Sequence, residues 1–199
     1  MVLEHKDILE NKDIIDIGSN IGFFSLAVCK HTIPKSIHLF EPCTEYYTHS
    51  KTILKDYSNI YFNNYGLDSV SSYKVLYKSP NYNNIGWNTF LDKDPNQNDN
   101  FIHTMNKEVC RVDTLDNYKI ENVDFIKIDV EGYESRVLEG GLNIIKRHMP
   151  YLYIEVGWGT NHPEWHKCEQ VYNELFELGY DRVKFEGCTK DILFIPTNK

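Results

Sequence analysis

The chain has 199 residues, enough for one full-sized domain with its own core and too few for two. An apolar share of 41% with 14% aromatic residues excludes a disordered chain, and 29 acidic against 21 basic residues, a formal net charge of -8, oppose the phosphate neutralisation that nucleic-acid binding requires. Five scattered cysteines without a C-x-x-C pair give neither a disulfide framework nor a zinc knuckle, and no secretory h-region or long apolar run is present, so a cytoplasmic chain with no membrane partner is expected.

In chain order, an amphipathic piece over residues 3 to 10 precedes "DIIDI" (13 to 17), whose isoleucines predict a buried strand. A glycine turn follows, then a helical pattern over 20 to 31 that ends before Pro34, and a second strand "SIHLFE" (36 to 41) that stops at Glu41-Pro42. Residues 43 to 56 suit a helix and 59 to 62 a short strand. From Tyr65 to Asn106 the chain is rich in Asn, Ser, Asp and Tyr and reads as a polar insertion, with hairpin strands predicted at 72 to 77 and 84 to 90 and a polar loop at 92 to 100. Alternation then resumes: strand 123 to 130, helix 134 to 147, strand 151 to 156, helix 165 to 178. Two last strands, 180 to 186 and 191 to 196, lie four residues apart, a gap that permits an antiparallel hairpin and forbids a parallel crossover. Strands alternating with helices and closing on a hairpin predict a mainly parallel α/β sheet with one reversed strand and helices on both faces.

In such sheets a ligand sits beyond the carboxyl ends of the strands, and the first strand-to-helix turn touches it. Here that turn reads Asp16-Ile17-Gly18-Ser19-Asn20-Ile21-Gly22. A pyrophosphate-binding turn requires G-x-G-x-x-G, whose register is broken, and Asp16 would repel phosphate, which argues against an NAD-dependent reductase. A carboxylate at Asp16 suits a cationic group, and Glu41, at the end of the second strand, suits both hydroxyls of a ribose. A nucleoside joined to a cationic amino-acid portion meets that description, as S-adenosylmethionine does.

The stretches "DIGSNIGFFSL", "FEP", "RVDTLD" and "IKIDVEGYESRVLEG", in that order over residues 12 to 156, resemble the FkbM family of class I S-adenosylmethionine-dependent methyltransferases. The resemblance implies a Rossmann-like, seven-stranded sheet and O-methyl transfer to a hydroxyl of a sugar, a glycan or a polyketide-like metabolite, with a deoxysugar such as rhamnose as the narrowest expectation. Carried over residue by residue, Asp16, Gly18, Ser19, Asn20, Gly22 and Phe23 belong to the methionine side of the cofactor site. Glu41 and Pro42 belong to the ribose, and the segment from Asn64 through Gly66 to Asp68 lies near the adenine. The implied partners are the sugar or glycan acceptor and, as cover for the site, a second copy of the chain or a neighbouring glycosyltransferase domain.

Along "FIKIDVEG", Lys127, Asp129 and Glu131 share one face if the strand continues. They form either a salt-bridged set at a strand end or the catalytic group. Methyl transfer to an alcohol needs alignment and a destination for the hydroxyl proton, which Asp129, Glu131, a Lys127 with a depressed pKa or the loop residue His162 could accept. A divalent cation is the other solution. Asp129 stands at the strand end that carries a metal ligand in catechol-type O-methyltransferases and Glu155 ends the next strand, so these two are the expected ligands of a magnesium or manganese ion. Trp158 and Trp165 are placed to stack on a sugar or simply to pack. A partner domain that keeps the cofactor but has lost turnover is the non-enzymatic alternative, against which the intact Lys127, Asp129 and Glu131 argue. "SPNY" (79 to 82) reads as a hairpin turn, and the clustered tyrosines as packing instead of a stacking platform for bases.

Overall fold

The run of isoleucines at Asp13–Ile17 forms strand β1, buried at every position, as a strand covered on both faces must be. The computed structural model describes residues 2, 5–79, 86–92, 105–156, 165–184 and 191–198. Further strands are β2 (Ser36–Phe40), β3 (Ile60–Asn63), β4 (Gly66–Leu67), β5 (Ser72–Lys78), β6 (Asn106–Asp113), β7 (Phe125–Ile128), β8 (Tyr151–Glu155), β9 (Tyr180–Lys184) and β10 (Asp191–Pro196). The helices are α1 (Phe23–His31), α2 (Thr44–Ile53), α3 (Glu134–Glu139), α4 (Leu142–His148) and α5 (Trp165–Glu177).

The main sheet has seven strands in the order β3-β2-β1-β7-β8-β10-β9. Neighbours pair in parallel except at β10, which runs antiparallel to both β8 and β9. Alternate residues of β1 feed two cores, as a period of two requires. Ile15 and Ile17 join Ile126, Ile128, Leu138, Ile145 and Leu175 under α3, α4 and α5, while Ile14 joins Val28, Ile37, Leu39 and Leu54 under α1 and α2. Each such side chain taken from water contributes about 1.5–3 kcal/mol, so the sheet is clamped from both sides. Strand order reverses between β1 and β7, which puts the switch point, and a cleft, at their carboxyl ends.

The insertion differs from its prediction. β5 pairs antiparallel with β6, from Ser72 opposite Val112 to Lys78 opposite Asn106, and β4 adds to β6 in parallel. The segment predicted as the hairpin partner of β5 contributes a single bridge, Thr89 to Tyr77. β6 pairs along the whole of β5, and its inward-facing Cys110 clusters with Leu76 and Cys43, with Phe90 packed against them.

Two further boundaries move. The helix predicted over 134 to 147 is split at Gly140-Gly141, where a Cβ on Gly140 would stand 2.0 Å from the backbone oxygen of Asp68. The strand predicted to run to residue 130 stops at Ile128, and Glu131 (φ 51°) and Gly132 (φ 91°) turn through the left-handed region. No described helix is long and apolar enough to cross a membrane.

Candidate active site

The cleft is built around the turn after β1, where Gly18 (φ 70°), Asn20 (φ 52°) and Gly22 (φ 87°) all adopt left-handed backbone. The N–H groups of Gly18 and Ser19 donate to the Phe40 carbonyl at 3.0 and 3.1 Å, tying the turn to the end of β2. There Glu41 accepts from the Asn20 N–H at 2.8 Å on one oxygen and from the Cys43 N–H at 2.8 Å on the other. Burial raises its pKa to about 7, against the pull of those two N–H groups and of Lys127. Gly18, Asn20, Glu41, Pro42 and Gly66 line the cleft together with Asp129, Glu131 and Glu155.

Other predicted residues stand behind the wall. Asp16 is wholly buried; one oxygen accepts the Ser25 hydroxyl at 2.6 Å and the other lies 3.4 Å from Lys127 Nζ. It therefore braces the turn and does not line the cleft. Lys127, 7% exposed, also reaches Asp129 at 3.1 Å and the Gly18 carbonyl at 3.3 Å. Burial lowers its pKa, but the Asp16 and Asp129 carboxylates outweigh that and hold it above the usual lysine value. Of the candidate proton acceptors this disfavours Lys127, whose acidic neighbours push its pKa up, so that it positions them.

Ser19 and Gly22 are buried off the cleft, Gly22 against Leu54 and Ser50 of the helix that follows β2, and Phe23 is exposed. Asn64 braces the Glu41-Pro42 turn by donating to both carbonyls, at 3.0 and 3.3 Å. His162 and Trp158 lie outside the described residues, as do most of the polar loop after Asp92 and Pro80 to Tyr82 of the predicted "SPNY" turn.

Asp129, Glu131 and Glu155 converge from the ends of β7 and β8, with one oxygen of each within 4.8 Å of the others. Lys127 holds the Asp129 carboxyl below the ordinary range despite its burial. Burial, followed by the Asp129 and Glu131 carboxylates, pushes Glu155 upward, so the Asp129-Glu155 pair releases its two protons at well-separated pH. Glu134 supports the turn from beneath, one oxygen accepting the N–H groups of Val130 at 3.3 Å and Gly132 at 3.1 Å, and the Thr89 hydroxyl donates to the Glu131 carbonyl at 2.8 Å. The wall that the sequence did not disclose comes from the insertion and α2: Tyr46, Leu76, Asn88 and Phe90, with Tyr133 opposite. The turn sequence marked the floor, but no local signal marks residues delivered by a second sheet.

Burial also raises Glu134 to about 7. Glu41 and Glu134 therefore hold protons in the folded chain to a higher pH than in the unfolded one, where the ordinary value is 4.5. The stability this confers is complete below pH 4.5 and is lost as pH rises through about 7. His38, lowered by burial, opposes the trend with one proton. Glu134→Gln keeps an oxygen for both amides and removes the titration. Its melting temperature is expected to fall less than that of the wild type between about pH 5 and 8; parallel curves would refute the assignment.

A seven-stranded sheet with one reversed strand and a glycine turn at the switch point define the fold class: the Rossmann-like fold of S-adenosylmethionine-dependent methyltransferases. The chain belongs to the FkbM methyltransferase family, whose description reads Methyltransferase FkbM domain and whose profile matches residues 16–182. It is similar to the crystal structure of methyltransferase FkbM from Methylobacillus flagellatus KT, with 18% identity and a TM-score of 0.61 over 92% of this chain and 43% of that one. This chain thus spans less than half the length of that relative. SMU.1697c, a putative methyltransferase from Streptococcus mutans in complex with SAH, aligns at 10% identity and a TM-score of 0.55, over 97% of this chain and 94% of that one. A putative rRNA-methylase from Clostridium thermocellum aligns at 9% identity and a TM-score of 0.55, over 96% and 91%. At these identities the likeness is one of fold. No curated protein matches the sequence.

Proposed function

We propose that the protein transfers the methyl group of S-adenosylmethionine to a hydroxyl oxygen of a sugar or glycan. The observation that carries this reading is the convergence of Asp129, Glu131 and Glu155 on the cleft beside the glycine turn. The chain's residues fit the cofactor. Gly18 lets the turn pass against the Asp129 backbone at the floor of the cleft, the turn places Asn20 on the wall, and Glu41 offers a buried carboxyl to a ribose. When bound, S-adenosylmethionine supplies an electrophilic methyl group on a sulfonium.

The protein's part is alignment and proton custody. An alcohol is a poor acid, so its proton needs a destination as the new C–O bond forms. Asp129, held below the ordinary carboxylate range by Lys127, takes that proton, and the neighbouring Glu155, whose own carboxyl is shifted upward, shares it. The family resemblance supports a sugar or glycan acceptor; rhamnose-like deoxysugars are its narrowest form.

The test is methyl release from labelled cofactor with a panel of methyl-free oligosaccharides beside polyketide-like alcohols. Turnover with neither class, alongside tight binding of SAH, would favour a partner domain without catalysis. Asp129→Asn is expected to leave SAH affinity within a fewfold and to lower turnover by about a hundredfold, the usual scale of a lost general base. Undiminished turnover would remove Asp129 from the reaction.

The spacing of the three carboxylates favours a second form of the same reading, in which magnesium or manganese bound by Asp129, Glu131 and Glu155 acidifies the acceptor. Dialysis against a chelator decides between them: activity lost and restored by the cation supports the metal, and unchanged activity supports the proton pair.

A further inference from the structure

We propose that Lys74, delivered by the insertion, is a positioning residue for the reaction: it holds the Tyr133 hydroxyl and, through Tyr133, the turn that presents Glu131 to the cleft. The inference rests on the methyl-transfer reading of the cleft and adds to it a residue outside the four sequence motifs.

The turn has little stiffness of its own. Glu131 (φ 51°) and Gly132 (φ 91°) both take left-handed backbone, and a glycine brings no side chain to restrain it. Tyr133 follows at once, 6% exposed, and lines the cleft together with Glu131. Its hydroxyl accepts from Lys74 Nζ at 2.7 Å, and the same ammonium stands 3.0 Å from Asp68 Oδ2. The hydroxyl itself lies 3.5 Å from that oxygen, so the three groups close a triangle.

The anchor is fixed without Tyr133. Asp68 has no exposure, its N–H donates to the Asp113 carbonyl of β6 at 2.9 Å, and its other carboxyl oxygen accepts the Ser69 N–H at 2.6 Å. Lys74 sits on β5 opposite Cys110 of β6, two residues before Leu76, which lines the cleft from the same face of the strand. Burial lowers the Lys74 pKa, but Tyr133 and Asp68 outweigh that and hold it above the usual lysine value. The insertion meets the turn a second time at Thr89, whose hydroxyl donates to the Glu131 carbonyl at 2.8 Å. It therefore grips the chain on both sides of Gly132. For stability alone, an apolar pair of the same volume serves a buried site about as well as an ion pair. What the ammonium adds is direction, a fixed point for one hydroxyl at the edge of the reacting group.

The test uses SAH and the alcohol or oligosaccharide turned over fastest in the acceptor panel. The proteins are wild type, Tyr133→Phe, the pair Lys74→Met with Asp68→Asn, and all three substitutions together. Tyr133→Phe keeps the ring and the Lys74-Asp68 pair, and the paired substitution leaves no buried carboxylate without its cation, so both are expected to fold. Each is expected to lower kcat about tenfold while SAH affinity and acceptor KM stay within about twofold, the mark of a misaligned reacting group. Adding Tyr133→Phe to the paired substitution is expected to lower kcat no further, because Lys74 acts through that hydroxyl. A lowered melting temperature with kcat unchanged would overturn the proposal and leave the three groups a structural role only. Additive losses in the triple variant would overturn it too, as would a loss of SAH affinity equal to the loss in kcat. A wild type that methylates nothing in the panel would overturn the methyl-transfer reading itself, a distinguishable failure.

Discussion

Lys127→Met is expected to lower folding stability by about 3–5 kcal/mol and to abolish SAH binding, because it removes one partner of a buried ion pair and leaves the other charged. Asp16 has no exposure at all, and with the ammonium gone it retains only the Ser25 hydroxyl. The Gly18 carbonyl and Asp129 lose the same cation, so the turn and the acid pair loosen together. Without Lys127 the Asp129 pKa is expected to rise toward that of its neighbour Glu155. Combining the substitution with Asp16→Asn, which removes the stranded charge, is expected to recover part of the lost stability. Urea denaturation of the two variants measures both. A single-variant loss under about 1 kcal/mol would mean that the Lys127-Asp16 pair contributes little to the fold.

Gly18→Ala should be nearly as damaging for a different reason. A methyl group at this position would lie 1.9 Å from the backbone oxygen of Asp129, and φ is +70°. Neither obstacle can move aside, since the oxygen belongs to the chain leaving the central strand β7 and the turn is pinned to the Phe40 carbonyl. A loss of at least about 3 kcal/mol and no detectable SAH binding are expected, from backbone strain plus a clash. Gly66→Ala is the comparison. Its new methyl would meet the ring of Phe90, a side chain that can swing, so a cost of about 1 kcal/mol and weakened binding are expected. Equal melting temperatures for Gly18→Ala and wild type would show that the turn is looser than its geometry.

Much of the chemistry was legible because it depends on local constraints. A buried strand must be apolar and a left-handed turn favours glycine; hence the strand Asp13–Ile17 was legible from its run of isoleucines and the turn after it from Gly18 and Gly22. The short gap between β9 and β10 compelled an antiparallel pair, and the structure has it. Lys127, Asp129 and Glu131 were grouped by an alternation that the strand does not sustain. They are nonetheless neighbours because the chain turns at Glu131, not because it continues.

What remained hidden depends on contacts between distant segments. Asp16 was read as facing the ligand, but a residue on a fully covered strand points into one of two cores, and only the packing of Ser25 and Lys127 decides that its carboxylate is a brace. β6 was missed because its pairing with β5 spans an insertion, and sequence alternation cannot say which of two candidate partners has the better inward face. Asn88 and Phe90 carry no motif and reach the cleft only because the segment around Thr89 packs back on Tyr77 of β5 and on Gly66. The sequence by itself determined the sheet, the glycine turn and the acidic residues at the strand ends, since each follows from local backbone preference and burial. Tertiary structure decided which of those charges face the cleft and which neutralise one another beneath it, since these are properties of distances between strands far apart in the chain.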